Sequence, residues 1–295
     1  MNKSAPMLLI LSLAILPLAG CNNGGSGNGR IDIALTDTPT DLASSVVVEF
    51  TGVKFQPANG NVISYTFPAA QQIDLLQLQA GISTPLLAGF SLPAGHYQWL
   101  ELEVSATPGA KDSYLVPNSG GTQGLVLTST GQTGLRSSNG FDITADEGVT
   151  QVVDFDARKS VLPPVVASTD YQLQPHIRML DTRAGGNIIG SVPVTLATTA
   201  NCVPVVYVYA GNVSTPADLD ASAPAATQPV TEEPVQLNTA SGEYSFTAAY
   251  LPAGAYTLAF TCDAGKDDPT KADGLSFNPV GTVKVAAGAT ILALL

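Results

Sequence analysis

Apolar and polar positions alternate with a period of two along most of this chain. In RIDIALTD, residues 30–37, Ile31, Ile33 and Leu35 fall on one side and Asp32 and Ala34 on the other. That pattern predicts a strand with one buried face. The stretches VVVEFTGVKFQ (46–56), VISYTF (62–67), YQWLELEVSA (97–106), GLVLTS (124–129), TQVVDFDARKSV (150–161) and YQLQPHIRML (171–180) continue in the same style. Between them PANGN, TPGAKD, PNSGGTQG and TADEG are made of turn-forming residues. No helical crossover pattern separates the strands, so the predicted fold class is all-β, with antiparallel, sandwich-like sheets.

A second series follows RAGGN, residues 183–187: IIGSVPVTL, CVPVVYVYAG, GEYSFTAAY, AYTLAFTCD and GTVKVAAGATILALL. The predicted organisation is therefore two β domains, residues 30–182 and 187–295. The Pro-, Ala- and acid-rich segment 213–234 within the second reads as a long exposed loop.

One hexamer is written almost twice, LPAGHY at Leu92–Tyr97 and LPAGAY at Leu251–Tyr256. Pro would set φ for a tight turn, Gly would supply a left-handed position, and Tyr would open a core strand. The repetition predicts the same corner in both domains, a structural device and not a ligand site.

The N-terminus changes the picture. Lys3 precedes the apolar run MLLILSLAILPLAG, which has signal-peptide length and is too short to span a bilayer comfortably. It ends in LAGC, Leu18–Cys21, which resembles the lipobox of bacterial lipoproteins. The resemblance implies cleavage of residues 1–20, diacylglycerol on the Cys21 thiol and an acylated (palmitate-type) amino group. It also implies membrane attachment through several acyl chains, each buried CH₂ contributing roughly 0.8 kcal/mol. Asn22 at the next position resembles the pattern forwarded to the outer membrane. NNGGSGNG, residues 22–29, then reads as a flexible tether.

The formal net charge is −12, and loss of Lys3 with the leader leaves the rest more acidic still. Such a chain would be repelled by nucleic-acid phosphates. With Cys21 lipidated, Cys202 and Cys262 remain, and two cysteines in an exported chain predict a disulfide. Closing a loop of that length is credited with about 4 kcal/mol in the chain-entropy picture.

Candidate chemistry is sparse. The chain has two histidines, His96 and His176, and no G-x-S-x-G elbow. His96 sits in the turn hexamer as a surface residue, and His176 reads as a packed strand residue. In DFDARKS, period two puts Asp154, Asp156 and Arg158 on one strand face. The plain reading is an ion pair. The sharper reading adds Asp37 and Asp41 from TDTPTD to form a calcium or carboxylate-rich ligand site. A second acidic stretch, CDAGKDDPTKADG, lacks EF-hand spacing and contains Lys266 and Lys271, so it reads as a solvated loop. Trp99 shares a predicted face with Tyr97, Glu101 and Glu103. It is either core or an outward platform for a glycan.

LTDTPTD, VVVEFTGVKF, IDLLQL, LPAGHYQWLELEV, DFDARKSV and YQLQPHIR together resemble the bacterial DUF4382 domain found in exported lipoproteins. The likeness covers roughly residues 29–182. SGEYSFTAAYLPAGAYTL and VKVAAGAT resemble a small Ig-like or carboxypeptidase-regulatory-like sandwich. Neither resemblance implies an activity. The expectation is a lipid-anchored, non-enzymatic envelope protein that binds or scaffolds, with a protein or glycan partner and no required cofactor. The alternatives are a carboxylate- or calcium-dependent surface enzyme and an accessory subunit of an envelope complex.

Overall fold

The computed structural model describes residues 27–38, 43–128, 134–137, 139–165, 168–174, 176–220 and 222–295. The expected signal peptide (1–20), Cys21, Asp41 and most of the expected tether (22–29) lie outside them. Strands account for most of the described chain. In order they are β1 (Asn28–Thr38), β2 (Ala43–Pro57), β3 (Ile63–Asp74), β4 (Thr84–Pro93), β5 (Gly95–Ser105), β6 (Tyr114–Pro117) and β7 (Gln123–Leu127). Next come β8 (Gly134–Arg136), β9 (Phe141–Ile143), β10 (Gly148–Asp156), the one-turn helix α1 (Ala157–Ser160), β11 (Val161–Leu162), β12 (Tyr171–Leu173) and β13 (Ile177–Asp181). The second series is β14 (Gly185–Val192), the one-turn helix α2 (Val194–Ala197), β15 (Val205–Ala210), β16 (Thr231–Pro234), β17 (Gln236–Asn238), β18 (Glu243–Pro252), β19 (Gly254–Thr261), β20 (Val280–Val285) and β21 (Thr290–Leu294).

The fold is all-β, in four sheets around two main cores. The first core lies between the sheet β13-β10-β1-β4 and a nine-stranded sheet centred on β2 and β5. Alternation along β1 buries Ile31, Ile33 and Leu35 against Phe50, Phe55, Leu100 and Leu102. The second core lies between β17-β18-β14-β21 and β16-β15-β19-β20, and gathers Ile188, Val206, Val208, Phe246, Leu258 and Phe260. Cys202 and Cys262 are disulfide-bonded beside it, 60 residues apart in sequence.

Three of the four sheets are mixed, which corrects the wholly antiparallel expectation, while β16-β15-β19-β20 is antiparallel throughout. β1 pairs in parallel with β10, β7 with β12, and β14 with β21. Alternation specifies which face of a strand is buried and says nothing about the direction of its neighbour, so parallel closure has no local signature.

Both hexamers are corners between sheets. β4 passes into β5 and β18 into β19, each crossing from one layer of its sandwich to the other. Leu92 and Leu251 are fully buried. Tyr97 Oη donates to the Pro93 carbonyl at 2.9 Å, and Tyr256 Oη to the Pro252 carbonyl at 2.7 Å. The two turns do not share a left-handed glycine: Gly95 has φ 146°, a positive value that favours glycine without being left-handed helical, and Gly254 has no positive φ. The hydroxyl reaching back four residues holds each corner.

The bulge after the first corner explains another difference. Trp99 pairs with Gln56 and Tyr97 with Pro57, so one extra residue lies between them on β5. The slip turns Tyr97 onto the buried side with Leu100 and Leu102, and not onto the face of Trp99 as strict alternation predicts. Trp99 itself is half-buried beneath the Arg136 guanidinium, 3.9 Å from the ring centre. It is neither core nor an open platform.

Candidate functional site: a charged cleft between the two cores

β1 and β10 end together. Their parallel register sets Thr36 beside Asp154 and Thr38 beside Asp156. β13 pairs antiparallel with β10, putting Arg178 opposite Asp154, where Nη2 and Oδ2 meet at 2.5 Å. This is a cross-strand ion pair of the kind sheets favour.

Beyond Asp154 the chain leaves the strand. Asp156 Oδ1 accepts the Lys159 N–H at 3.1 Å and caps α1, and Lys159 Nζ lies 2.5 Å from Asp156 Oδ2. Asp154, Asp156 and Arg158 therefore do not share a strand face. An aspartate followed by three residues willing to turn ends the strand, because its carboxylate satisfies an amide that has no partner in the first helical turn.

The turn sends Arg158 into the second half, where it is 4 % exposed. Its Nη2 donates to the Asp267 carbonyl and lies beside the Asp267 carboxylate, both at 3.2 Å. Nη1 donates to the Tyr207 hydroxyl at 3.4 Å and faces Glu232 at 3.9 Å. The Tyr207 hydroxyl in turn donates to Asp267 Oδ2. Lys159 reaches Glu232 at 3.8 Å and donates to the Pro229 carbonyl at 3.3 Å. Thr38 and Thr231 share a hydrogen bond of 3.2 Å, and Thr231 donates to Glu233 at 2.8 Å. The two halves thus meet through buried charge more than through a shared apolar core.

Acid outnumbers base at this junction, with consequences for protonation. Burial, then the charges of Asp154 and Asp156, raise the Asp37 carboxyl well above the ordinary range. Both Asp37 oxygens are buried without a well-formed hydrogen bond; the Ala157 N–H offers partial relief. Burial lifts Glu233 to about 8 and Glu232 to about 7, the latter against the pull of Lys159 and Arg158. Asp154 is raised by burial despite Arg178. At neutral pH this junction holds protons that free carboxylates would have released.

An open cleft of about 820 Å³ adjoins the junction. Asp154, Asp156, Lys159, His176, Ile177 and Arg178 form one wall, from the first half. Leu219, Ser222, Gln228, Pro229, Val230 and Thr270 form the other, from the second half. No Phe, Tyr or Trp is among the described residues that line it. His176 lies at the rim, where partial desolvation holds its imidazole below the ordinary value. His96 is exposed and pairs with Asp142 at 2.9 Å, far from the cleft in the first corner.

Of the calcium candidates, Asp37, Asp154 and Asp156 come close enough to influence one another. Asp154 and Asp156 are each engaged by a cation of the protein, and Asp41 lies outside the described residues. Segment 213–234 departs from a fully exposed loop: Asp218, Leu219, Thr231, Glu232 and Glu233 are buried. Nor is 262–274 wholly solvated. Asp263 and Asp268 do make exposed pairs with Lys266 and Lys271, yet Asp267 is buried under β15. Glu232, Tyr207 and Asp218 carried no signal, because their partners lie tens of residues away in sequence.

The family model described as "Domain of unknown function (DUF4382)" matches residues 28–175. No curated protein sequence matches the chain. Among solved structures, a leucine-rich repeat protein from Bacteroides thetaiotaomicron is 14 % identical, with 92 % of this chain and 26 % of that chain covered and a TM-score of 0.20. This chain therefore spans about a quarter of that protein. GBS52, the minor pilin of Streptococcus agalactiae, is 8 % identical over 90 % of this chain and 94 % of that one, TM-score 0.20. The fimbrial anchor protein Mfa2 of Porphyromonas gingivalis is 11 % identical over 84 % and 82 %, TM-score 0.21. At TM-scores this low the superpositions do not establish a shared fold.

Proposed function

The chain belongs to the DUF4382 family, whose description leaves its role open, and from that premise we propose a lipid-anchored envelope protein that binds a partner in the cleft between two β domains. The reading is of binding, not catalysis. The observation that carries it is the cleft itself, about 820 Å³, whose two walls come from different halves of the chain. Sites of this kind form where domains meet. Its acidic groups Asp154 and Asp156 are engaged by Arg178 and Lys159, which favours a fixed electrostatic surface over a general acid–base pair. Apolar Ile177, Leu219 and Val230 interleaved with Gln174, Gln228 and Ser222 suit a segment of a protein partner. A sugar would favour a Phe, Tyr or Trp stacking face, which the lining does not offer.

Residues 30–182 and 187–295 are proposed as the two domains, with the lipid on Cys21 and the 22–29 tether holding both near the outer membrane. Cys21→Ala should release the protein from membranes into the soluble fraction; undiminished retention refutes the anchor. For the cleft, Val230→Asp places a charge on an apolar wall. Affinity purification from envelopes should recover a partner with the wild type and lose it with Val230→Asp. A partner retained equally by both proteins places binding elsewhere.

A further inference from the structure

Asp267, which holds Arg158 at the junction, converges with two further carboxylates at the back of the second-half wall. One oxygen each from Asp218, Asp267 and Asp273 lies within 4.8 Å of the other two, the only such group of potential metal ligands among the described residues. They come from two loops: Asp218 from the connection between β15 and β16, Asp267 and Asp273 from the connection between β19 and β20.

The local contacts engage Asp273 through both oxygens but Asp218 and Asp267 through Oδ2 alone. Asp218 Oδ2 accepts the Asp273 and Gly274 N–H groups, the latter at 3.1 Å. Asp273 Oδ2 accepts the Asp268 N–H at 2.5 Å. Asp267 Oδ2 is taken by Tyr207 and Arg158, which leaves Oδ1. That atom is buried and meets no hydrogen-bond donor, in a residue only 8 % exposed. A buried carboxylate oxygen without a partner costs free energy on the order of 1–3 kcal/mol. Two basic groups face the trio, Arg158 at 3.2 Å from Asp267 and the largely exposed Lys271 at 3.5 Å from Asp273, and they offset only part of the charge of three carboxylates. A cation seated among the three would satisfy the orphaned oxygen and offset the repulsion.

We infer that Asp218, Asp267 and Asp273 form a calcium site that ties the two loops of the cleft's second-half wall together. The donors are all oxygens, which selects a hard cation over zinc or copper. Oxygens up to 4.8 Å apart can share one ion at calcium's bond lengths of about 2.3–2.6 Å. Magnesium's shorter bonds of about 2.1 Å and strict octahedron fit that spread less well. The remaining positions would be filled by water or backbone carbonyls.

The position gives the ion a role. Leu219 follows Asp218, and Thr270 lies between Asp267 and Asp273; both line the cleft. Asp267 also holds Arg158 of the first half. Binding here would brace the wall and the junction at once. The site does not depend on what occupies the cleft, so failure of either reading leaves the other standing.

The test is calcium titration of the metal-stripped chain from residue 22 onward, followed by calorimetry and by native mass spectrometry for stoichiometry. One Ca²⁺ per chain is expected, with at least tenfold weaker binding in Asp273→Asn and in Asp218→Asn. Both asparagines keep an acceptor for the loop amides, and unchanged circular dichroism verifies folding. Asp268→Asn, in an exposed neighbour outside the trio, should bind as the wild type does. Absence of binding at millimolar calcium overturns the inference. So does binding that survives both trio substitutions, or magnesium binding as tightly as calcium.

Discussion

The two halves of the molecule solve one problem with the same parts and finish it differently. In each, the opening strand, β1 or β14, pairs antiparallel with the strand entering the hexamer and parallel with a later strand. Gly29 stands opposite Leu92, and Gly186 opposite Leu251. A Cβ on Gly29 would meet the Thr144 carbonyl at 2.3 Å, and one on Gly186 the Ala286 carbonyl at 2.4 Å. Both glycines let the turn before the parallel strand close against the opening strand. From there the halves diverge. The first extends its second layer to nine strands and fills the space with stacked aromatics such as Phe55, Phe90, Tyr97 and Phe141. The second stays at four strands per layer, adds the Cys202–Cys262 bond, and covers the outer face of β15 and β19 with Leu275 and Phe277. A shared corner therefore specifies how the layers connect, while the stabilisation of each half comes from different sources.

The largest effects should come from the corners. Leu92→Ala and Leu251→Ala each remove a fully buried side chain, with an expected loss of about 2–5 kcal/mol. Amide exchange should quicken mainly in the half that carries the substitution. Equal losses sharpen the equivalence of the corners, and a loss below about 1 kcal/mol for one of them breaks it.

Replacing Cys202 and Cys262 by serine should cost about 2–4 kcal/mol, since the bond restrains a long loop in the unfolded chain. Exchange should rise in residues 187–295 and stay near wild type in the first core. Equal loosening of both halves contradicts separate sources of stability.

The junction predicts a pH dependence that neither core would show alone. Glu233 rises from its ordinary 4.5 to about 8 on burial, so the folded state binds a proton that the unfolded state has released. Stability is full below about pH 4.5, falls as pH rises, and levels off above about pH 8. Glu232, raised to about 7, acts in the same direction. Glu233→Gln should flatten much of that slope in denaturant titrations across pH 5–8. A wild-type slope that rises with pH in this window would refute the assignment.

The smallest effect is the most local. Tyr97→Phe and Tyr256→Phe keep the ring and delete one hydrogen bond each, for an expected loss of about 1 kcal/mol. Matching losses measured by chemical denaturation support a common corner; a neutral change in one half removes the hydroxyl from its explanation.

Much of this was legible along the chain. Ile31, Ile33 and Leu35 announced their buried face, the repeated hexamer marked equivalent corners, and Cys202 and Cys262 pointed to a disulfide. What escaped was non-local or a break in period. The bulge at β5 reversed Tyr97 through one extra residue. Asp156 capped a helical turn where alternation predicted more strand, and so aimed Arg158 at the other half. Asp218 meets Asp267 and Asp273 only because two loops fold over the same sheet face, and no spacing within either loop signals it.

The central claim is that two β units are held in register by buried charge at their junction. Arg158 is the group to remove, since its loss leaves Asp267 buried without its cation and Glu232 with Lys159 alone, a loss of about 3–5 kcal/mol for such a pair. Scanning calorimetry of Arg158→Met measures the claim directly. The wild type should unfold in one transition, and the variant in two, with only one of them moving when the disulfide is reduced. A single transition at the wild-type temperature would contradict the account.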